Sequence, residues 1–401
     1  MNRALIFAAW IAVALPALAK PLKVFILAGQ SNMQGHAQVE TFDYLGDDPA
    51  TAPLLREMRG ADGQPRVLEQ VWISSIGCLG DAYTDLTEKT GRLTAGFGAP
   101  ENKIGPEFTF GIHLEKRLGE PVLLIKTAWG GRSLHTDFRP PSAGPYVPTA
   151  LDAKRWAEQP ERKAQTEAAT GVYYREMVAH VRKVLADPKR VCPAYDEAQG
   201  YEITGFIWFQ GFNDLVSGDT YPPKPGETVQ DYSKYGEWLA DLIRDVRRDL
   251  AAPRMPVVIG VLGVDGNQAD DNTKAFRAAM AGPAALPEFA GTVKAVETAP
   301  FWSEELAAIA AKMEKVSQMD YFLNSKHKDH ANAEGQMTEA QKREYLEKFE
   351  ADLIMPAEAT LWKRGASNGG YHYLGCAKTF ALIGRAFAEA NLALLRGRPE
   401  P

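Results

Sequence analysis

The feature that most constrains this chain is a rhythm of short apolar runs separated by longer amphipathic stretches. Residues 22–28 (Leu-Lys-Val-Phe-Ile-Leu-Ala) form the first run, closed by Gly29. Similar runs recur at 121–128, 203–209 and 256–263, and a weaker fifth at 291–296. Each is rich in Val, Ile, Leu or Phe and bounded by Gly or Pro, the pattern of a strand buried on both faces. Between and after them lie stretches of helical pattern. One opens with Gly105-Pro106-Glu107, and others cover 150–187, 232–250, 270–281 and about 374–395. A Pro in the first turn with an acid beside it suits a helix N-terminus. Strand alternating with helix predicts an α/β, three-layer sandwich with a mostly parallel sheet of about five strands. In such sheets ligands bind at the carboxyl ends of the strands, so the residues after each run matter most.

The N-terminus carries Arg3, an apolar run over 4–15 and Ala17-Leu18-Ala19 before Lys20. This is the layout of a signal peptide over residues 1–19, cleaved near Ala19. The run falls short of the ~20 residues that span a bilayer, so the expectation is a secreted or periplasmic protein without stable membrane insertion. The remainder, 20–401, reads as a single domain with a charged helical insertion at about 302–366. A net charge of −6 argues against nucleic acid and against an anionic membrane surface. Three cysteines (Cys78, Cys192, Cys376) are too few for a disulfide scaffold. His327 and His330 lack the partners a metal site needs.

Four polar blocks fall where the apolar runs end. After the first comes Gly29-Gln30-Ser31-Asn32-Met33, where a Ser at a strand-to-helix turn exposes its hydroxyl and aims its amide into the site. After the second comes Trp129-Gly130-Gly131-Arg132, where paired glycines let a backbone amide approach a ligand. After the third comes Trp208-Phe209-Gln210-Gly211-Phe212-Asn213-Asp214, whose Asn could donate to an oxyanion. Late in the chain, Ser367-Asn368-Gly369-Gly370-Tyr371-His372-Tyr373 places a His after a flexible Gly pair. Taken singly, each block is equally the mark of a helix cap or tight turn.

In this order the blocks resemble those of the SGNH hydrolases, and their exact form resembles the sialate O-acetylesterase-like carbohydrate esterases. The likeness covers 22–298 and returns at 367–396. It implies a flavodoxin-like sheet and an exported serine esterase that removes O-acetyl groups from a carbohydrate, with no metal or organic cofactor. Ser31 would form an acetyl-enzyme and His372 would be the general base. The Ser31 amide, a Gly131 (or Gly130) amide and the Asn213 side chain would hold the oxyanion. Gln30, Trp129, Gly130, Arg132, Gln210, Phe212 and Tyr373 are the expected contacts to an acetylated glycan, with Trp129, Trp208, Phe212 and Tyr373 able to stack on sugar rings. Alternatives are a non-catalytic carbohydrate-binding protein on this fold, or an esterase for other acyl groups. Two departures stand out: Gly369 occupies the place of the acid three residues before the His, and Phe212 stands where many members carry Glu. The Nδ1 partner of His372 is expected to be a backbone carbonyl in 368–370, with Asp214, Asp265, Glu297 or Asp329 as substitutes.

Overall fold

In the computed structural model, which describes residues 20–78, 86–100 and 102–397, the first apolar run is β1 (Leu22–Gly29), central to the sheet. The expected signal peptide lies outside the described residues. Val24, Phe25, Ile26, Leu27 and Ala28 are fully buried, each large side chain contributing ~1.5–3 kcal/mol by leaving water. The other strands of this sheet are β2 (Val71–Ile76), β3 (Lys89–Arg92), β4 (Val122–Ala128), β5 (Tyr201–Phe209), β6 (Val257–Val261) and β7 (Val293–Glu297). They line up as β3-β2-β4-β1-β5-β6-β7, parallel except for the edge strand β3.

The sheet is thus mostly parallel as expected, but has seven strands rather than about five. The two added are β2 and β3. β2 reads Val-Trp-Ile-Ser-Ser-Ile, and its buried Ser74 is satisfied by Glu88 and His180 at 2.7 and 3.0 Å. Tertiary partners rather than apolar content let this segment lie in the core.

Successive residues of a strand face opposite sides, and β5 shows which helices cover which side. Phe209 packs on Phe387 of the C-terminal helix, with centroids 5.3 Å apart. Its neighbour Trp208 packs on Phe138, which lies against Tyr173. One face is therefore covered by α1 (Pro106–Leu118) and the C-terminal helix. The other is covered by α2 (Val172–Ala186), followed by α3 (Ser233–Asp249) and α4 (Asp271–Ala281). The stretch of helical pattern over 150–187 forms three helices, interrupted around Pro160 and at Gly171, which has φ +69°. Helices α5 (Glu304–Ser325), α6 (Glu339–Leu353) and α7 (Pro356–Gly365) come next, and α8 (Ala377–Arg396) closes the chain. No helix among the described residues is long and apolar enough to cross a membrane.

Register positions the site. Gly29 pairs with Ala128 of β4 on one side and Phe209 of β5 on the other. A bulge at Val24/Phe25 brings the β5 pairing into this alignment. The central strands therefore end flush, and their following loops emerge side by side.

Candidate active site

Gly29 permits the close approach of β1 and β5, because a Cβ there would stand 2.1 Å from the Phe209 carbonyl oxygen. Ser31 then opens a single helical turn, Ser31–Gln34, and remains 7% exposed. The turn ends at Gly35, φ +88°, where a Cβ would run into the Gly105 backbone. Beneath it Lys126 of β4, fully buried, donates to the Gln34 carbonyl (2.7 Å), the Phe97 carbonyl (2.7 Å) and the Glu107 carboxylate (2.8 Å). Glu107 also accepts from the Gly105 amide at 2.8 Å. The Gly-Pro-Glu segment is thus more than a helix opener: its acid completes a buried ion pair that anchors the backbone of the Ser31 turn.

Gln30 joins two of the blocks. Its Oε1 accepts from the amides of Gly211 (3.0 Å) and Asn213 (3.3 Å), which fixes which end is oxygen. Its Nε2 must then be the donor, and it reaches Asn213 Oδ1 at 2.8 Å and Ser31 Oγ at 3.5 Å. With Oδ1 occupied, Asn213 presents Nδ2 as a donor. The amides of Ser31, Gly130 and Gly131 make no backbone hydrogen bond among the described residues.

Asp214, fully buried, ties the β4 loop to the β5 loop. It accepts from the amides of Leu134 (2.7 Å) and His135 (3.1 Å), from Gln210 Nε2 (2.6 Å) and from the Tyr221 hydroxyl (2.6 Å). Burial raises its pKa, and these four donors offset only part of that rise. Its oxygens face these groups, so it is not the partner of His372.

That partner is Asn368. Its Oδ1 lies 2.9 Å from His372 Nδ1 and also accepts from the Gly369 amide at 2.8 Å, which again fixes the oxygen. An acceptor at Nδ1 requires the Nδ1–H tautomer in neutral His372 and leaves Nε2 with its lone pair. The expected backbone carbonyl is therefore corrected to a side-chain amide, and none of Asp214, Asp265, Glu297 or Asp329 occupies the position. Burial, and secondarily Lys103, lower the His372 pKa to about 4. Asn32 Nδ2 donates to the Tyr371 carbonyl at 3.1 Å, holding the late loop to the Ser31 turn. Among the described residues no hydrogen bond joins Ser31 to His372 directly.

Several expected substrate contacts are corrected by burial. Trp129 is fully buried against Tyr173 and Phe138 (5.1 and 5.9 Å), and Trp208 lies under the same layer. Tyr373 is 1% exposed, its hydroxyl bonded to the Gly263 amide and the Thr298 hydroxyl, each at 2.7 Å. Gln210 spends its amide on Asp214, Gln30 and the Arg132 carbonyl. Arg132 pairs with Asp137 at 3.2 Å and lies over Tyr173. Of the expected aromatics only Phe212 is partly open, and it faces Tyr371 (centroids 6.0 Å), which is 51% exposed. Tyr371 was not singled out from sequence, yet the cue was present: an aromatic directly before the His of the last block.

A parallel sheet with serine, glycine, asparagine and histidine blocks gathered at its carboxyl edge is that of an SGNH-type carboxylic ester hydrolase. More particularly, the chain belongs to the family of carbohydrate esterases described as sialic acid-specific acetylesterases, whose model matches residues 21–300. No curated protein matches the chain. Among solved structures it is similar to a protein of Arabidopsis thaliana (20% identity, 69% of this chain and 86% of that one, TM-score 0.39). It is also similar to XAC1771, described as a novel carbohydrate acetylesterase from Xanthomonas citri (15%, 68% and 49%, TM-score 0.38). A third is NanS (16%, 70% and 79%, TM-score 0.38).

Proposed function

We propose that this protein is an exported carbohydrate O-acetylesterase that works through a Ser31 acetyl-enzyme. The observation that carries the reading is the Gln30 side chain, whose single amide nitrogen bonds both Ser31 Oγ and Asn213 Oδ1. His372 Nε2 takes the Ser31 proton as Oγ attacks the acetyl carbonyl, and the Ser–His contact tightens once substrate is bound. The oxyanion then lies against the Ser31 amide, a Gly131 or Gly130 amide and Asn213 Nδ2, three donors in place before the reaction begins. The tetrahedral intermediate collapses by breaking the C–O bond to the sugar, and His372 returns the proton to the departing oxygen. Water, deprotonated by the same Nε2, then releases acetate. Asn368 keeps the Nδ1 proton in place throughout.

Phe212 and Tyr371 offer the sugar an aromatic wall beside the reacting bond, a surface suited to the apolar face of a pyranose ring. Export is supported by the tripartite pattern of residues 3–19. The insertion would shape access for polymers: Ala310 and Met313 of α5 and Trp362 of α7 line a cavity of about 570 Å³ together with Asn368–Gly370 of the His372 loop.

The test is hydrolysis of 4-nitrophenyl acetate and octanoate by the wild type and Ser31→Ala. Acetate should be favoured, and the variant should fold but lose about 10³-fold or more in kcat. Turnover of Ser31→Ala above a tenth of wild type would point to another nucleophile, and a preference for octanoate would overturn the acetyl assignment.

A further inference from the structure

His36 follows Gly35 directly, so it sits at the end of the turn that carries Ser31. Its ring lies flat on that of His372, with centroids 3.8 Å apart and planes 3° apart. Both ring nitrogens of His36 are buried, and neither has a hydrogen-bond partner among the described residues. Buried polar atoms are seldom left so, which suggests that this ring is kept for its face. His372 is thereby held at its Nδ1 edge by Asn368 and across one face by His36, while Tyr371 stands edge-on at 4.4 Å. Among the described residues, no carboxylate acts on either ring. Asn368 is neutral, the nearby charges that act on the two rings are the cations Lys103 and Lys126, and Glu107 is committed to Lys126. Yet His372 must become an imidazolium when it takes the serine proton.

We infer that His36 is a positioning residue whose neutral ring face, stacked on His372, stabilises the imidazolium that forms there during the reaction. The inference rests on the reading of His372 as the base. A cation over an aromatic face is attracted by the ring quadrupole, more strongly when water is excluded, and these rings are in van der Waals contact. Burial first, then His372 and the two lysines, lower the His36 pKa to about 3, which keeps its ring neutral near neutral pH. Lys126 fixes the Gln34 carbonyl just before Gly35, so nucleophile and shelf belong to one anchored turn.

His36→Phe and His36→Leu separate the face from the rest of the side chain. Both are apolar and non-titrating, but only Phe retains an aromatic face. The expected result is that Leu lowers kcat about tenfold with KM little changed, and that Phe restores most of the loss. In a Ser31→Ala background, where turnover plays no part, NMR titration of the His372 ring should give a lower pKa with Leu than with Phe, because losing the face disfavours the charged form. Equal kcat and equal His372 pKa in the two variants would overturn the inference. So would equal losses in both, which would show that the aromatic face is not what His36 supplies. His372→Ala tests the base assignment separately, since the titration difference stands or falls whatever His372 does in turnover.

Discussion

Replacing Asn368 with Asp places a carboxylate against His372 Nδ1 with almost no change of shape. The existing Nδ1 to Oδ1 distance is 2.9 Å, and the Gly369 amide that now bonds Oδ1 can bond the new oxygen equally. Opposite charges about 4 Å apart at an effective dielectric constant of about 20 attract by ~4 kcal/mol, or about 3 pKa units. Desolvating the new carboxylate takes back part of this, which leaves a rise of about 2 units. His372 would move from about 4 to roughly 6. The sign follows from the charged form: a carboxylate favours imidazolium, so the base form is lost at higher pH than in the wild type. The assay is kcat/KM for 4-nitrophenyl acetate from about pH 4 to 9, whose acid limb reports the free-enzyme base. Asn368→Asp should carry that limb upward by about 2 units and raise the alkaline plateau, because the imidazolium is better balanced in the transition state. A limb unmoved from the wild-type position would refute both the Asn368 contact and the role of His372 as base.

Gln30→Ala releases Asn213 from its orientation, so kcat should fall by about 10²-fold with KM little changed, as for loss of an oxyanion donor; a fall in KM alone would refute this. Lys126→Met leaves Glu107 buried and unpaired and should cost ~3–5 kcal/mol, read as a lower urea midpoint. Adding Glu107→Gln should recover part of it, and equal losses in single and double variants would mean the pair is not coupled. His36, His135, His180 and His372 have pKa values lowered by burial to about 3, 4, 4 and 4. The unfolded chain takes up protons below about pH 6.5 where the native protein does not. Stability should therefore fall as pH drops from about 6.5 toward 4, and a melting temperature flat across that window would contradict the burial of these rings.

The sheet was legible because its central strands are apolar on both faces, and the blocks because they sit where those strands end. β2 and β3 were not legible: Ser74 and Ser75 interrupt the apolar pattern of β2, and what satisfies Ser74 in the core is Glu88 and His180, outside the strand. The same limit applied at the site. Ser31, Asn213 and His372 can be picked out by residue type, whereas the Asn368 side chain and His36 carry no such mark, since only the folded loops bring them to His372. Trp129, Trp208 and Tyr373 were misread in the opposite sense. Aromatics beside a strand end read alike whether they face a ligand or the layer beneath, and strand parity with helix placement decides between the two.

The charges of this site are placed with a consistent logic. Lys126, Glu107 and Asp214 are fully buried and all bind backbone amides or carbonyls of the loops. Among the described residues, the groups bonded to or stacked on Ser31 and His372 are neutral: Gln30 on Ser31, Asn368 and His36 on His372. A carboxylate at Nδ1 would strengthen the base but also draw a proton onto it at mildly acidic pH, where an imidazolium accepts nothing from serine. The amide forgoes that strength, and with burial it keeps His372 unprotonated to well below neutrality. Rigidity comes from buried ions at a distance from Ser31 and His372, and on the proposed mechanism their exclusion at these two residues would set the working range of pH. A variant that moves a carboxylate from the first position to the second should therefore exchange acid tolerance for rate.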